Sequence, residues 1–334
     1  MPGMSHARSR ENGRVTIATE TLAEIALDGR VDVLGASDAA RSSFTAQAGD
    51  SLVALSPGLD MLGRWPVDPR HRGHHAICVD RELALISGPD EVCLLDHTGR
   101  ARWRYPHPPW GTGGFRSGCA WFDGAGRPHA VVPAASYDHC LVVCLDLDSG
   151  QPLAVAPIQA APEGISPVHH PDGWVGLSEG EGQDAARAWW ARSAGQLPGQ
   201  VHIEVLDGGW DDWILADVDP SGSRIITTPH GGGPLLVRSF PGLEIARSVE
   251  PPPGEYWDCN AFFAGSMIVS AVLGEEERFV AVDQRGRIAD LDQHEAICLV
   301  PAGHGTWLAV TQTTIQHRKI IRGDEEIPGQ IALW

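Results

Sequence analysis

The segment Val142-Val143-Cys144-Leu145-Asp146-Leu147-Asp148-Ser149-Gly150-Gln151 has the form that decides the fold. It consists of a short apolar run, an aspartate, a turn that ends in glycine, and the start of another run. The same form returns at 92–100 and at 280–287, and looser copies stand at 52–59 and 236–243. Short apolar runs bounded by such turns are typical of β-strands. The chain therefore contains a repeated strand–turn–strand unit.

The glycines that end these turns measure the period of the repeat. They are Gly13, Gly58, Gly99, Gly150, Gly195, Gly242, Gly286 and Gly323. The seven intervals between them run from 37 residues (323 − 286) to 51 residues (150 − 99). A constant period of this size is the signature of a repeat architecture.

Each unit divides into four short runs. In the unit from 195 to 242 these runs read 200–206, 212–218, 223–228 and 233–239. Four strands in roughly 40–50 residues make one blade of a β-propeller. The segment 185–192 is the best candidate for a helix, but it occupies a strand position in the repeat, which favours a strand. The sequence predicts an all-β, seven-bladed β-propeller with four-stranded blades.

The ends of the chain suggest how the ring closes. The opening Gly13–Ile17 resembles the outer-strand openings at Gly99 and Gly286, so we expect an N-terminal strand to complete the last blade and remove a free sheet edge. The segment 325–334 is a competing candidate for the same place. The predicted organisation is a flexible tail at 1–12, one propeller at 13–321, and a C-terminal tail or extra edge strand at 322–334.

The aspartates of the repeat carry a family resemblance. The units resemble the WD-repeat and quinoprotein-like propeller superfamily over residues 13–321. In the WD-repeat pattern a Trp-Asp pair ends the third strand of a blade. Three aspartates here match that aspartate, and aliphatic residues replace the tryptophan: Asp96 after Leu95, Asp146 after Leu145, and Asp283 after Val282.

The charge balance excludes two classes of partner. The chain has 25 Lys and Arg against 43 Asp and Glu, a net charge of −18, and Lys319 is its single lysine. Binding to nucleic acid draws its affinity from basic side chains placed on phosphates. We therefore expect no nucleic-acid partner and no anionic membrane.

The compartment is predicted from cysteine usage and hydropathy. The seven cysteines form no C-x-x-C pair and lie within apolar runs such as 76–79 and 296–299, as free buried thiols do. No run reaches the roughly 18 apolar residues of a membrane span, and no apolar run of signal-peptide length follows the polar N-terminus. We expect a cytoplasmic, monomeric protein.

The long connections between outer and inner strands are where we expect function. They are 65–75, 106–118, 207–213 and 250–259. The positions around the predicted starts of the inner strands hold eight acids and two arginines: Glu20, Glu163, Asp211, Asp212, Glu255, Asp258, Asp292, Glu295, Arg72 and Arg116. These positions predict an acidic funnel, which would concentrate cations.

Aromatic residues share these connections with the acids. The candidate binding residues are Trp110, Arg116, Asp211, Asp212, Trp213, Tyr256, Trp257 and Asp258. Exposed tryptophans could bind an arginine or an amine through cation–π contacts. We predict a protein partner or a small cationic ligand; the alternative is that the acids are ordinary surface charges and the tryptophans cover sheet edges.

Histidines offer a weaker hypothesis. His74 and His75 lie in the densest histidine cluster, and His294-Glu295 is expected on the same rim. His and carboxylate groups from separate blades suit Zn or Mn, but Arg70 and Arg72 would repel a cation. We expect no cofactor, with a divalent cation as the alternative.

No catalytic motif carries an enzymatic assignment. The chain has no Gly-x-Ser-x-Gly elbow, and His294 has no second histidine at the spacing of a zinc-protease helix. A non-catalytic binding propeller is the favoured hypothesis. A lyase or hydrolase with a His and carboxylate site at the channel mouth, and a scaffold without any small-molecule site, are the alternatives.

Overall fold

The computed structural model describes residues 16–38, 41–68, 74–111, 118–162, 164–179, 187–195, 199–293 and 295–321. These residues form seven sheets, one per blade, which confirms the predicted seven-bladed β-propeller. Within the described ranges the only helical segment is a 3-10 turn at Val79–Arg81. No helix there has the length and apolarity to cross a membrane.

Each blade is built from four antiparallel strands in chain order, the first nearest the channel. Blade 1 comprises β3 (Val31–Ala36), β4 (Phe44–Ala48), β5 (Ser51–Leu55) and β6 (Met61–Pro66). Blade 2 comprises β7 (Ala76–Cys78), β8 (Leu83–Ser87), β9 (Glu91–Leu95) and β10 (Ala101–Pro106). Blade 3 comprises β11 (Ala120–Phe122), β12 (Pro128–Pro133), β13 (Cys140–Leu145) and β14 (Pro152–Ile158).

The second half of the ring continues the pattern. Blade 4 comprises β15 (Ile165–His169), β16 (Val175–Glu179), β17 (Arg187–Ala194) and β18 (His202–Asp211). Blade 5 comprises β19 (Trp213–Val218), β20 (Arg224–Pro229), β21 (Leu235–Ser239) and β22 (Ile245–Val249). Blade 6 comprises β23 (Tyr256–Ala264), β24 (Met267–Leu273), β25 (Arg278–Val282) and β26 (Ile288–Leu291). The segment proposed as a possible helix is strand β17 where it is described.

Blade 7 is completed by the N-terminus. Its strands are β27 (Cys298–Gly303), β28 (Thr306–Val310), β29 (Thr314–Ile320) and, as the outer strand, β2 (Thr19–Ala26). The predicted N-terminal closure is confirmed, although the closing residues follow those that the repeat indicated. Strand β1 (Thr16–Ile17) pairs with β26 of blade 6 in parallel.

The closure depends on one buried hydroxyl as well as on strand pairing. Thr19 Oγ1 accepts hydrogen bonds from Arg318 Nη2 at 2.6 Å and from Gln293 Nε2 at 2.7 Å. The single lysine, Lys319, lies 3.3 Å from Glu20 across the same strand pair. The clasp therefore joins the N-terminus to blades 6 and 7.

Alternating strand directions give the ring two ends. One end, which we call the linker end, holds the connections between blades, such as 27–30, Asp212 and 250–255. It also holds the loops between second and third strands, such as 230–234 and 274–277. The turn end holds the other loops, such as 123–127, 219–223 and 283–287.

The core consists of the interfaces between blades. The described residues contain seven hydrophobic clusters, each shared by two neighbouring blades. In blade 6, Phe262 and Val269 pack towards blade 7, whereas Phe263 and Ile268 pack towards blade 5. Both faces of a blade are buried because successive side chains of a strand point to opposite faces.

The repeated aspartates stabilise the turns that follow the third strands. Asp96 Oδ1 accepts hydrogen bonds from the backbone N–H groups of Thr98 and Arg100, at 2.9 and 3.1 Å. The repeat glycine itself is not always the residue with positive φ. At Gly58 and Gly242 the following leucines, Leu59 and Leu243, take that role with φ of 69° and 61°.

The turn at Gly150 requires glycine for two reasons, its backbone conformation and the space around it. Its φ is 69°, and a Cβ there would lie 2.7 Å from the ring of Trp103 in blade 2. We expect Gly150→Ala to lower the free energy of unfolding more than Gly173→Ala by about 1–3 kcal/mol, because only the first overpacks an interface. Gly173 is a matched control: its φ is 80° and a Cβ there would meet nothing within 4 Å. Equal losses in urea unfolding would contradict this packing.

The clasp gives a second prediction. Deleting residues 1–26 removes β2 and leaves β29 with an unpaired edge, which invites strand exchange between copies. We expect a lower melting temperature and dimers or larger species by size-exclusion chromatography. Deletion of 1–15, which keeps β1 and β2, is the control. A truncated protein as stable and monomeric as the full chain would show that the clasp is dispensable.

Candidate functional site

Several acids of the turn end are occupied by contacts within the fold. Asp123 Oδ1 accepts from the backbone N–H groups of Ala125 and Arg127, each at 2.9 Å. Arg127 Nη1 in turn donates to Gly195 O of blade 4 at 2.7 Å. Such groups lock turns and neighbouring blades together, so they are not available to a ligand.

The linker end of blade 6 contains the largest irregularity in an inner strand. In the pairing of β23 with β24, Trp257 faces Val272 and Ala261 faces Ser270. Three residues, 258–260, therefore stand opposite the single residue 271. Bulges of this kind break strand pairing and redirect side chains, and they are over-represented next to functional sites.

Hydrogen bonds to its backbone carbonyl groups hold the bulge of Asp258–Asn260 in place. Thr228 Oγ1 of blade 5 donates to Cys259 O at 3.4 Å, and Ser270 Oγ donates to Asn260 O at 3.0 Å. Asn260 Nδ2 donates to Asp258 Oδ2 at 3.0 Å. Cys259 and Asn260 are exposed and Asp258 is half-buried, so the bulge presents polar groups on a fixed backbone.

Further acids lie beside the bulge in the ring. Asp212 is exposed, has φ of 70°, and forms the one-residue connection between β18 and β19. Its Oδ1 lies 3.7 Å from His230 Nδ1. The loop between β24 and β25 adds three exposed acids, Glu275–Glu277. We call Asp212, Tyr256, Asp258–Asn260 and Glu275–Glu277 the blade 5–6 rim.

The predicted aromatic residues divide by burial. Trp110 and Trp257 are only 5% and 2% exposed, and Trp257 Nε1 donates to Val249 O at 3.0 Å. Their indoles therefore pack between blades. Trp213 is half-buried, and the Arg238 guanidinium lies 5.6 Å from its ring, so an arginine of the chain itself already occupies the cation–π position. Tyr256 is 51% exposed.

The acidic funnel is smaller than the sequence indicated. Glu20 lies on the outer strand β2, away from the channel. Glu255 is an ion-pair partner of Arg278, with Oε2 at 2.5 Å from Nη2. The side chains of Asp211, Arg116, Glu163 and Arg72 lie outside the described residues. Of the remaining funnel acids, Asp212 and Asp258 lie on the blade 5–6 rim, whereas Asp292 and Glu295 are exposed on the connection between blades 6 and 7.

The candidate metal ligands His74, His75 and Glu295 differ in hydrogen bonding and burial. His75 is 7% exposed, and its Nδ1 accepts from Ser87 N at 3.2 Å. Burial lowers the pKa of His74 to about 4, which keeps its imidazole neutral at pH 7. Glu295 is exposed, and His294, Arg70 and Arg72 lie outside the described residues. Within the part of the chain that the structure describes, no three His, Cys, Asp or Glu side chains group as metal ligands.

Sequence reasoning missed two features of this rim. The bulge needs the register of β23 against β24, which no local pattern shows. The sequence shows Glu275–Glu277 as three successive acids. They belong to a loop between second and third strands, and not to a connection between blades. Because those loops share an end with the blade connections, they belong to the same surface.

Comparison with known proteins supports the fold. The sequence matches no protein family and no curated protein. Three propellers resemble the structure along nearly its whole length. BBS1N, solved in complex with ARL6DN in a mercury-soaked crystal, has a TM-score of 0.54 at 10% identity and covers 93% of this chain and 99% of its own. BamB from Moraxella catarrhalis gives 0.52 at 13%, covering 92% and 99%.

The third similar structure is the WD40 β-propeller domain of Doa1, with a TM-score of 0.50 at 14% identity and coverage of 90% of this chain and 97% of that one. Likeness at such identities is a likeness of fold. The resemblance to WD-repeat and quinoprotein-like propellers is confirmed at that level.

Burial separates the two neighbouring aromatics experimentally. We expect Trp257→Ala to lower the free energy of unfolding by about 3–5 kcal/mol, since it empties a packed interface. Tyr256→Ala should stay within about 0.5 kcal/mol of the wild type, as exposed substitutions do. Chemical unfolding followed by fluorescence measures both. Similar losses for the two variants would contradict the placement of Trp257 between blades.

Proposed function

We propose that this chain is a non-catalytic protein-binding propeller that recognises a basic segment of a partner through the blade 5–6 rim. The observation that carries the proposal is the bulge at Asp258–Asn260. It interrupts an inner strand at the linker end and exposes polar side chains there. Function tends to lie on such irregular segments, held by a rigid scaffold.

The charge of the rim determines the class of partner. Asp212, Asp258 and Glu275–Glu277 supply carboxylates, and the rim as defined includes no lysine or arginine. Exposed carboxylates of one sign steer a basic partner and set its specificity. The open ring of Tyr256 adds a surface on which an arginine side chain can stack.

A peptide segment suits the rim better than a small cation. The rim spans two blades, and its side chains other than the half-buried Asp258 are exposed, so several contacts along an extended chain are needed to use it. A small cationic ligand would satisfy only one or two of these groups. The two ligand classes differ in how affinity rises with peptide length, which the experiment below measures.

Two further observations support a binding role. Turn-end acids such as Asp123 and Asp283 are used in turns and blade contacts, which favours the linker end for recognition. BBS1N, a propeller of similar shape, was solved in complex with ARL6DN, so this fold can serve as a protein-binding module.

The proposal places the protein in a reducing, cytoplasmic setting as a monomer without a cofactor. All seven cysteines are free thiols, and only Cys259 among them is exposed. This supports a reducing compartment, where such thiols persist.

The proposal predicts selectivity for basic peptides. In fluorescence anisotropy with labelled peptides that differ in length and in number of arginines, affinity should rise with both and fall with added salt. Asp212→Asn combined with Asp258→Asn should weaken binding of the arginine-rich peptide about fivefold or more at low salt, because two rim charges are lost. Asn keeps the shape of each side chain and tolerates the positive φ at 212.

The matched control removes the same charge from the turn end. Asp172 and Glu244 are both exposed there, so Asp172→Asn with Glu244→Gln changes the net charge equally. We expect this variant to bind like the wild type. Equal weakening in both double variants would show non-specific attraction, and affinity independent of arginine content would overturn the proposal.

A further inference from the structure

Arg41 makes a contact that crosses the ring. It lies on the connection between β3 and β4 of blade 1, at the turn end. Its Nη2 lies 2.5 Å from Asp217 Oδ1 and 3.4 Å from Val218 O, both on the inner strand β19 of blade 5. Blades 6 and 7 stand between blade 5 and blade 1 along the shorter way round the ring. The ion pair therefore passes over the turn end of the channel.

Asp217 extends this contact to a third blade. Its Oδ2 accepts a hydrogen bond from Phe263 N, on inner strand β23 of blade 6, at 2.9 Å. One carboxylate thus ties Arg41 to both β19 and β23. Its side chain is 5% exposed and that of Arg41 10%. Charged hydrogen bonds at this burial are strong and fix geometry, because water does not compete with them.

The contact carries two unfavourable features at a single residue. Arg41 has φ of 54°, a backbone conformation that costs energy for a residue with a side chain. Its Nη1 is buried without a hydrogen-bond partner in the described residues. Strain of this kind persists where the surrounding structure demands it, and it concentrates at functional sites.

The two strands held by Asp217 are those that carry the proposed rim. β19 begins at Trp213, directly after Asp212, and β23 begins with Tyr256 and the bulge. Asp217 follows Trp213 by four positions along the strand, a distance of roughly 13 Å at the rise of a β-strand. Arg41 is therefore too far away to touch a partner that binds the rim.

The bulge explains why the turn-end parts of β19 and β23 need a contact that sets their relative position. Between Trp257 and Ala261, β23 loses its regular pairing with β24, so residues 258–260 are not aligned by that ladder. The Phe263–Asp217 bond instead aligns β23 with β19, the neighbouring inner strand of blade 5.

We infer that Arg41 is a positioning residue, which through Asp217 sets the relative position of β19 and β23 and thereby the geometry of the blade 5–6 rim. The effect on partner binding rests on the proposed function. The effect on the rim itself does not, since Cys259 within the bulge is exposed and reports on it directly.

The experiment measures how fast the Cys259 thiol reacts with a disulfide reagent in the native protein, with Cys259→Ser to identify its signal. Arg41→Met should raise this rate about threefold or more, because a loosened bulge frees the exposed thiol from its hydrogen bond to Asp258 Oδ1, 3.4 Å away in the wild type. Arg41→Lys should recover part of the effect, since its ammonium keeps the charge opposite Asp217 but sits on a flexible stem without the planar guanidinium.

A double variant separates positioning from stability. Arg41→Met leaves Asp217 as a buried lone charge, which destabilises the protein whatever else it does. Arg41→Met with Asp217→Asn removes that charge and should restore stability in urea unfolding. The Cys259 rate should nevertheless stay raised, because the link to blade 1 is still absent. Arg102→Met, which breaks an exposed ion pair with Asp148 at the turn end, is the control with an unchanged rate.

The outcomes decide between the two proposals. A wild-type rate in Arg41→Met, or in the double variant, would overturn the positioning role. Should Arg41→Met fail to fold, the double variant and Arg41→Lys decide the same question. A raised thiol rate with unchanged affinity for the arginine-rich peptide would keep the positioning role and place peptide binding elsewhere. A raised rate with weaker peptide binding is the result expected.

Discussion

The structure depends on the requirement that every blade bury both of its faces against neighbours. Each interface holds one hydrophobic cluster, and alternate residues of a strand serve opposite interfaces, as Phe262 and Phe263 do in blade 6. A blade without a neighbour would expose an apolar face, so an open ring leaves two such faces bare. Strand β2 completes blade 7, and its Ala23 and Ile25 pack against the cluster that blade 7 shares with blade 1. The hydrogen bonds at Thr19 place this closure where blades 6 and 7 meet the N-terminus.

Closure also gives the two ends of the ring different roles. At the turn end, short loops cap themselves with aspartates, and arginines such as Arg127 and Arg247 reach across to the next blade. These bonds consume the polar groups that a ligand would need. At the linker end the chain must travel between blades, and its connections vary from the single residue Asp212 to the segment 250–255. The blade 5–6 rim arises there because the spacing of the blades, and not local sequence preference, determines the path of the chain.

The fold could be predicted from sequence because its information is local and repeated. The form around Asp146 and Gly150 requires only a strand, a capped turn and a second strand, and its five copies outweigh any single ambiguous segment. The site could not be predicted so well because burial is set by neighbours distant in sequence. Trp257 and Tyr256 are adjacent, yet one packs between blades and the other is open to solvent. The pairing of Glu255 with Arg278 likewise joins residues that no short motif connects.

Arg41 shows the limit of explanations based on stability. The seven clusters and the clasp already close the ring, and a buried ion pair replaced by apolar groups often leaves a protein as stable or more so. Arg41 nevertheless keeps an unfavourable backbone and a buried N–H group that no described residue bonds. A role in specifying position accounts for both costs, because an ion pair with a backbone hydrogen bond has one geometry whereas an apolar contact has many. The bulge in β23 makes such a specification necessary: where a strand gives up its ladder to present side chains, some other contact must fix where they point.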